Sequence, residues 1–222
     1  PDTPAPWANY LGDPEYGAII SNNAGGYSFV KSGANGRIIR YRFNSVAVDQ
    51  PGRYIYLKDG ETGDYWSASW SPVCKPLDEY KSDAVTALLK RITSEYKNIK
   101  TETTYYVPRN ALYEVWASKI TNNDTKPRKL SVTGYCEFVN DNNYEQDQVN
   151  LQYTLFITRT YFKKNFILQK QNEIFKNPNN ERFLGVAKAE VSAYCGDRDS
   201  FVGAYRGYAN PKGIEEGLKG DP

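Results

Sequence analysis

Apolar and polar residues alternate along most of this chain, in short runs separated by Gly, Asn, Asp and Pro. A period of two is typical of β-strands that bury one face. The separators DGETGD and SGANG supply the glycines of hairpin turns. The pattern predicts strands at 27–31, 37–43, 53–58, 65–70, 101–107, 111–121, 130–139, 149–160, 183–189 and 200–205.

One segment departs from this alternation. Residues 82–92 (SDAVTALLKRI) carry Ala84, Ala87, Leu88 and Arg91 at helical spacing, and Ser82 or Asp83 could cap a helix. The segment is therefore either one short helix near 82–92 or a strand of poor propensity. Many short strands at regular spacing predict an all-β fold, a large antiparallel β-sandwich, formed by a single domain over residues 1–222.

Composition excludes several classes of protein. Hydrophobic residues make up 40% of the 222 residues and charged residues 24%, which predicts a folded chain. The net charge is +2 and both signs are mixed, so we expect no nucleic-acid partner. No apolar run is long enough to cross a membrane, and the first residues, PDTPAPW, do not form a leader. These features predict a cytoplasmic protein.

Candidate catalytic chemistry is scarce. The sequence has no His, and its three cysteines, Cys74, Cys136 and Cys195, lie far apart, which argues against a metal site and against a disulfide framework. In GDRDSF, Asp197 and Asp199 lie too close in sequence to flank a glycosidic bond easily, and either could pair with Arg198. We therefore predict no catalytic residue and no cofactor in this chain.

Aromatic residues suggest either packing or sugar binding. Nineteen tyrosines suit twisted sheets, and their rings also suit the apolar face of a sugar. Trp66 and Trp70, spaced to share a strand face, form part of the core or a stacking platform. Residues 140–148 (NDNNYEQDQ) form a solvated loop or contact carbohydrate through their amides.

The stretch 22–44 (NNAGGYSFVKSGANGRIIRYRFN) contains the motif AGGYS. This motif lacks the spacing and the lysine of a phosphate loop. It is either a tight turn with positive φ at Gly25 and Gly26, or a place where a ligand or partner domain approaches the backbone beside Tyr27.

Five blocks resemble glycoside hydrolase family 94, the family of cellobiose, cellodextrin and chitobiose phosphorylases. They are PWANYLG (6–12), ISNNAGGYSF (20–29), RYRFN (40–44), DQPGRYIYLKDGETGDYWSASWSPV (49–73) and GDRDSFVGAYRGYANP (196–211). The blocks occur in family order from about residue 4 to 211, and they match the N-terminal domain of those enzymes.

The resemblance implies a supersandwich fold like that of galactose mutarotase, joined in the whole enzyme to an (α/α)6 catalytic barrel. It implies phosphorolysis of a β-linked, glucose-type disaccharide or oligosaccharide with inversion, to give a sugar 1-phosphate. Inorganic phosphate is the nucleophile and co-substrate, and an Asp of the barrel is the general acid. That barrel lies outside these residues. The resemblance also implies a homodimer.

The resemblance further implies that this domain shapes the acceptor side of the pocket. In cellobiose phosphorylases the segment matching 143–146 reads Asn-Tyr-Gln-Arg, and its Arg contacts the acceptor sugar. Here the residues are Asn143, Tyr144, Glu145 and Gln146. A neutral amide at position 146 cannot make the forked contact of an arginine, which weakens the case for cellobiose. The acceptor-side residues implied are Asn143, Tyr144, Gln146 and Tyr27. The alternative is a free-standing carbohydrate-binding module without catalysis.

Overall fold

The computed structural model describes residues 1–42, 48–86, 88–139, 158–171 and 181–220. These residues form thirteen strands and two short helices, and every strand pairing is antiparallel, so the all-β prediction is confirmed. The elements are β1 (Ala8–Gly12), β2 (Tyr16–Ser21), β3 (Gly26–Val30), β4 (Tyr54–Asp59), β5 (Tyr65–Ser67), β6 (Glu79–Thr86), β7 (Leu89–Tyr96), β8 (Ile99–Tyr106), β9 (Val115–Asn122), β10 (Leu130–Tyr135), β11 (Thr158–Lys163), β12 (Phe166–Gln171), β13 (Glu181–Gly185), α1 (Arg198–Val202) and α2 (Lys212–Glu216).

The largest described sheet is a four-stranded meander in the order β6-β7-β8-β9. Its strand β8 alternates between buried and half-buried residues along its whole length, as the period of two predicts. Lys97 and Asn98 both have positive φ, 48° and 64°, in the two-residue turn from β7 to β8. Positive φ at both central residues is the geometry that matches the twist of a hairpin.

Two smaller sheets pack against the inner face of this meander. Leu11 and Ile20 of the sheet β1-β2-β3 contact Ile92 and Tyr105 of the meander in one core cluster. In a second cluster, the sheet β10-β4-β5 packs around Ile99 of β8. Stacked antiparallel sheets with apolar inner faces form a β-sandwich, which confirms the predicted architecture.

Strand β4 is buried on both faces. Ile55 and Leu57 point towards the meander, whereas Tyr54 and Tyr56 pack in a third core cluster with residues of α1 and α2. A strand that is buried on both faces is nearly continuously apolar or aromatic, and YIYL fits that rule. The two helices therefore cover the face of the β4 sheet that points away from the meander.

The fourth sheet, in the order β11-β12-β13, carries large side chains that face solvent. Phe166 and Phe183 are 42% and 47% exposed, and their ring centroids lie 5.8 Å apart in an edge-to-face contact. Phe166 lies over Gly185, where an added Cβ would come within 2.3 Å of its ring. Glycine at position 185 thus makes room for this aromatic pair.

The helix expected near 82–92 does not form. Residues of this segment instead build the hairpin β6–β7, in which Ser82 pairs with Ile92 and Asp83 with Arg91. The apolar residues at helical spacing favour a helix only weakly, whereas Ile92 gains full burial in the sandwich core when β7 is extended. Of the two alternatives left open by the sequence, the strand is correct.

The strand predicted at 200–205 is also wrong. Residues 198–202 form α1, and the carboxylate of Asp197 accepts a hydrogen bond of 2.6 Å from the backbone N–H of Ser200. An Asp that caps the first turn is a helix-start signal, and GDRDS carries it.

Other predictions hold in part. The segment predicted as a strand at 37–43 makes isolated bridges at Arg37 and Ile39, and its last residue lies outside the described part of the chain. Trp66 is buried in the core, but β5 ends before Trp70, which has φ +63°, so the two rings do not share a strand face. Within the described residues, no helix is long and apolar enough to cross a membrane.

Candidate functional site

The 21–26 turn (SNNAGG) connects β2 to β3 and contains the AGG of the AGGYS motif. The backbone N–H of Ser21 donates to the carbonyl of Gly25 at 3.1 Å, which closes the turn. Gly26 has φ +100°, as predicted, and the second positive φ belongs to Ala24 at +60° rather than to Gly25. The motif is therefore a tight turn, and one of its two left-handed positions is occupied by a residue with a Cβ.

Position 25 requires glycine because residues 49–53 lie against its backbone, and not because of its own φ. It forms an antiparallel bridge with Gly52, and Arg53 N–H donates to the carbonyl of Ala24 at 2.9 Å. A Cβ on Gly25 would meet Oδ1 of Asp49 at 2.1 Å, and one on Gly52 would meet the carbonyl oxygen of Ala24 at 2.6 Å. Two facing glycines thus let the 21–26 turn lie directly on residues 49–53.

Asp49 is a buried carboxylic acid beneath this turn, with 6% of its surface exposed. Its Oδ2 accepts a hydrogen bond from the hydroxyl of Ser21. Burial raises the pKa of Asp49 to about 6, although the hydrogen bonds from Ser21 and Tyr41 and the charge of Arg53 lower it. Carboxyl groups with such raised pKa values are concentrated at functional sites.

Arg53 is the fully buried cation next to Asp49, and its main partner is Glu114. The two side chains form a two-pronged ion pair in which Nη2 lies 3.0 Å from Oε2, and Nη1 donates to the carbonyl of Ile19 at 3.1 Å. Burial is the largest single influence and lowers the pKa of the guanidinium, but the charge and hydrogen bonds of Glu114, together with nearby Tyr16 and Tyr105, raise it by more, so Arg53 stays charged. This ion pair connects the 21–26 turn and β2 to the residues just before β9.

Tyr80 of β6 fixes the turn from the other side. Its hydroxyl lies 2.5 Å from the carbonyl oxygen of Asn22 and 3.1 Å from that of Ser69. The turn is therefore held by contacts to residues 49–53 and to β6, and Asn22 also bonds to Trp7 and Pro1 near the N-terminus. These contacts hold the six residues of the turn in one defined arrangement in this structure.

Tyr27, the predicted acceptor-side residue within the described chain, lies half-buried beside this turn. The guanidinium carbon of Arg37 lies 3.8 Å from its ring centroid, which is a close cation–π contact. The ring of Tyr41, whose hydroxyl bonds to Asp49, lies 6.1 Å away. Tyr27 thus borders the Asp49 cluster, and one face of its ring is occupied by Arg37. The other predicted acceptor-side residues, Asn143, Tyr144 and Gln146, lie outside the described residues.

A second buried carboxylate, Glu137, joins α1 to the sheet. Its Oε2 lies 2.9 Å from Nη1 of Arg40, and its Oε1 lies 3.0 Å from Nε of Arg198. The hydroxyls of Tyr135 and Tyr208 also donate to Oε1, at 2.7 Å and 2.6 Å. Burial raises the pKa of Glu137, but the charges of Arg40 and Arg198 and the hydrogen bonds from Tyr208 and Tyr135 together lower it by more, so the net shift is downward and the carboxylate is ionised.

The acidic pair of GDRDSF has structural roles. Asp197 caps α1, and Asp199 lies 3.4 Å from Arg198 at the surface. Sequence reasoning anticipated the contact between Arg198 and an aspartate, but it missed Glu137, which is the buried partner of Arg198. Asp49 and Glu114 were also missed, because a single carboxylate in a strand or loop gives no local sign that a distant arginine will face it.

The stacked antiparallel sheets and the anchored turn define a β-sandwich domain with a preformed surface at its 21–26 turn. The family model of the glycosyl hydrolase 94 supersandwich domain matches residues 1–221. The chain therefore belongs to this family.

Curated relatives cover nearly the whole chain. N,N'-diacetylchitobiose phosphorylase of Vibrio furnissii is 37% identical over 98% of the chain, and the enzyme of the same name from Vibrio proteolyticus is 36% identical over 98%. Solabiose phosphorylase of Paenibacillus borealis is 24% identical over 97%. The chain spans only 27%, 27% and 28% of the length of these three relatives.

Proposed function

We propose that this chain is the N-terminal sandwich domain of an inverting β-glycoside phosphorylase. The whole enzyme would convert a β-linked disaccharide or oligosaccharide and inorganic phosphate into a sugar 1-phosphate and a shortened sugar. The observation that carries this proposal is the family match over residues 1–221, together with phosphorylase relatives that align over 97–98% of the chain. The catalytic acid and the phosphate site would belong to the barrel.

In this proposal the domain forms the acceptor side of the pocket and contributes to a homodimer interface. The anchored 21–26 turn supports a positioning role, because a rigid, multiply bonded turn suits contact with the barrel or with a second subunit. Tyr27 would contact the acceptor sugar through its hydroxyl and the free part of its ring, and Asn143, Tyr144 and Gln146 would add polar contacts. Relatives named for chitobiose favour an acceptor related to N-acetylglucosamine.

The reaction is tested on the whole polypeptide that carries this chain. It would be incubated with inorganic phosphate and a panel of β-linked disaccharides that includes N,N'-diacetylchitobiose, and sugar 1-phosphate would be quantified. We expect phosphate-dependent product of inverted anomeric configuration. Glycan binding without phosphate-dependent cleavage of any disaccharide would overturn the proposal and support the free-standing binding module instead.

The acceptor side is tested with Tyr27→Phe and Gln146→Ala in the synthetic direction. Tyr27→Phe keeps the ring under Arg37 and removes only the hydroxyl. The loss of one hydrogen bond worth about 0.5–1.5 kcal/mol should raise the acceptor KM by roughly 2- to 10-fold. The matched control is Tyr113→Phe, which alters an exposed tyrosine near Phe183. An unchanged KM in both test variants would remove these residues from the site.

A further inference from the structure

The hydroxyl of Ser21 links the 21–26 turn to Asp49. Its Oγ accepts hydrogen bonds from the backbone N–H groups of Asn23 at 3.1 Å and Gly25 at 2.9 Å. A hydroxyl has two acceptor lone pairs and one hydrogen, so Ser21 uses both lone pairs within the turn and gives its hydrogen to Asp49. The turn and the carboxyl group are thus parts of one hydrogen-bonded unit.

The turn is also what separates Asp49 from water on this side. Ser21 covers Oδ2, and Gly25 lies so close to Oδ1 that a Cβ there would be 2.1 Å away. Lifting the turn would therefore hydrate the carboxyl group.

The ionised form of Asp49 is poorly compensated. Ser21 and Tyr41 are neutral donors, and Arg53, the cation that acts on Asp49, directs its guanidinium to Glu114. Among the described residues Asp49 has no cation of its own, and a buried carboxylate in that situation is costly and tends either to take up a proton or to gain water.

We propose that Asp49 is a pH-sensitive latch under the 21–26 turn: the neutral acid favours the closed turn, and ionisation favours an open turn that admits water to the carboxylate. This inference goes beyond the proposed function, because it concerns the domain itself and needs no substrate. Ionisation favours the open turn, and not the closed one, because the closed turn excludes water from the carboxyl group that becomes charged.

Within the described part of the chain, the groups that face Asp49 are Ser21 from the end of β2, Tyr41, Arg53 just before β4, Tyr54 of β4 and Tyr80 of β6. Burial raises the pKa of Tyr54 and of Tyr80, so both phenols stay neutral, and Arg53 stays charged. The pKa of about 6 for Asp49 then sets the range in which the latch responds.

Hydrogen exchange read by mass spectrometry tests this on the whole polypeptide that carries the chain. Exchange of peptides covering 21–27 would be followed from pH 4.5 to 7.5 and corrected for the intrinsic pH dependence of exchange. We expect the opening constant of the turn to rise by up to tenfold per pH unit below pH 6 and to level off above it. Peptides from β8 should stay protected over the same time, which shows that the turn opens without unfolding of the sandwich.

Asp49→Asn should remove this pH dependence and leave the turn at pH 7 at least as protected as the wild type at pH 4.5. Asp199→Asn is the matched control, because its side chain is 82% exposed, and it should keep the wild-type profile. A wild-type profile without a pH dependence, or one that rises equally in Asp49→Asn, would overturn the proposal. If the Asp49→Asn variant does not fold, the pH profile of the wild type is sufficient to test the proposal. The readout involves no sugar or phosphate, so its failure is distinct from failure of the proposed reaction.

Discussion

Single residues in the 21–26 turn show how a missing Cβ can matter in two different ways. Gly26 is required by its φ of +100°, where other residues are strained. Gly25 has no such requirement, and it matters because Asp49 and Gly52 lie against it. The sequence shows both glycines, but only the contact with Asp49 and Gly52, which are distant in sequence, explains why position 25 is a glycine.

Gly25→Ala should therefore destabilise the domain. The added methyl group would meet the buried carboxyl group of Asp49, and overpacking of this kind costs typically about 1–3 kcal/mol. Urea unfolding of wild type and variant measures the difference. Gly134→Ala is the control, because nothing lies within 4 Å of its Cβ position and no positive φ is involved. If both variants unfold at the wild-type urea concentration, Asp49 does not restrict position 25. The double variant Gly25→Ala, Asp49→Gly should relieve the clash. Glycine is well suited to position 49, because Asp49 has φ +70°.

At the scale of elements, the sequence pattern predicted strands in which buried and exposed residues alternate, and it failed for segments whose conformation depends on tertiary packing. The strands overlapping β3, β4, β8, β9 and β10 were predictable, since their alternation reflects one buried face or a strong run of aromatic and aliphatic residues. The conformation of the segment that forms the hairpin β6–β7 was ambiguous in the sequence. Ala and Leu favour a helix locally, whereas burial of Ile92 in the core stabilises an extended strand. Helix α1 was missed because its five residues are too short for a helical period, and only its Asp cap marked it.

The candidate site was less predictable than the fold. The pattern identified the AGG turn and Tyr27, but the partners that hold them come from residues far away in sequence. Arg53 meets Glu114 over 61 positions, and Arg40 meets Glu137 over 97. No local spacing encodes such pairs, so they appear only once the sheets are assembled.

Asp197→Ala should loosen the start of α1. Loss of the hydrogen bond to Ser200 N–H removes a helix cap worth about 1 kcal/mol, and hydrogen exchange of residues 198–203 should become faster. Asp197→Asn should restore most of the protection, because its side-chain oxygen can still accept from Ser200. Asp199→Ala serves as the control, since Asp199 is exposed and only pairs with Arg198. Equal exchange in all three variants would mean that the Glu137 network alone holds α1.

At the scale of the whole molecule, the chain lacks the side chain that normally titrates near neutral pH, because it has no His. Asp49, with a pKa of about 6, then gives stability an unusual pH dependence. Its folded pKa lies above the ordinary value of 3.8, so its contribution is fully present below pH 3.8 and is lost as pH rises to about 6. Glu137 acts in the opposite sense, because its lowered pKa makes its stabilisation disappear in acid.

We expect the free energy of unfolding to fall between about pH 4.5 and pH 6.5 in the wild type. The loss could reach about 3 kcal/mol over the whole range from 3.8 to 6, at about 1.4 kcal/mol per pH unit. Urea unfolding at a series of pH values measures it. In Asp49→Asn the slope over this range should be nearly flat, whereas Asp199→Asn should follow the wild type. A wild-type stability that rises steadily from pH 4.5 to 6.5 would contradict this assignment.

The placement of α1 and α2 on β4 also bears on how the chain folds as it is made. Tyr56 of β4 donates a hydrogen bond to the carbonyl of Tyr208, 152 positions later, and Lys58 donates to that of Ile214, 156 positions later. Such distant contacts slow folding, because a long loop must close before they form. Translation proceeds at about 5–20 residues per second. The aromatic face of β4 would therefore stay exposed to solvent for roughly ten seconds or more after its synthesis, until the residues of α1 and α2 are made. The nascent domain is thus most exposed to aggregation and to chaperones in the interval just before its last elements emerge.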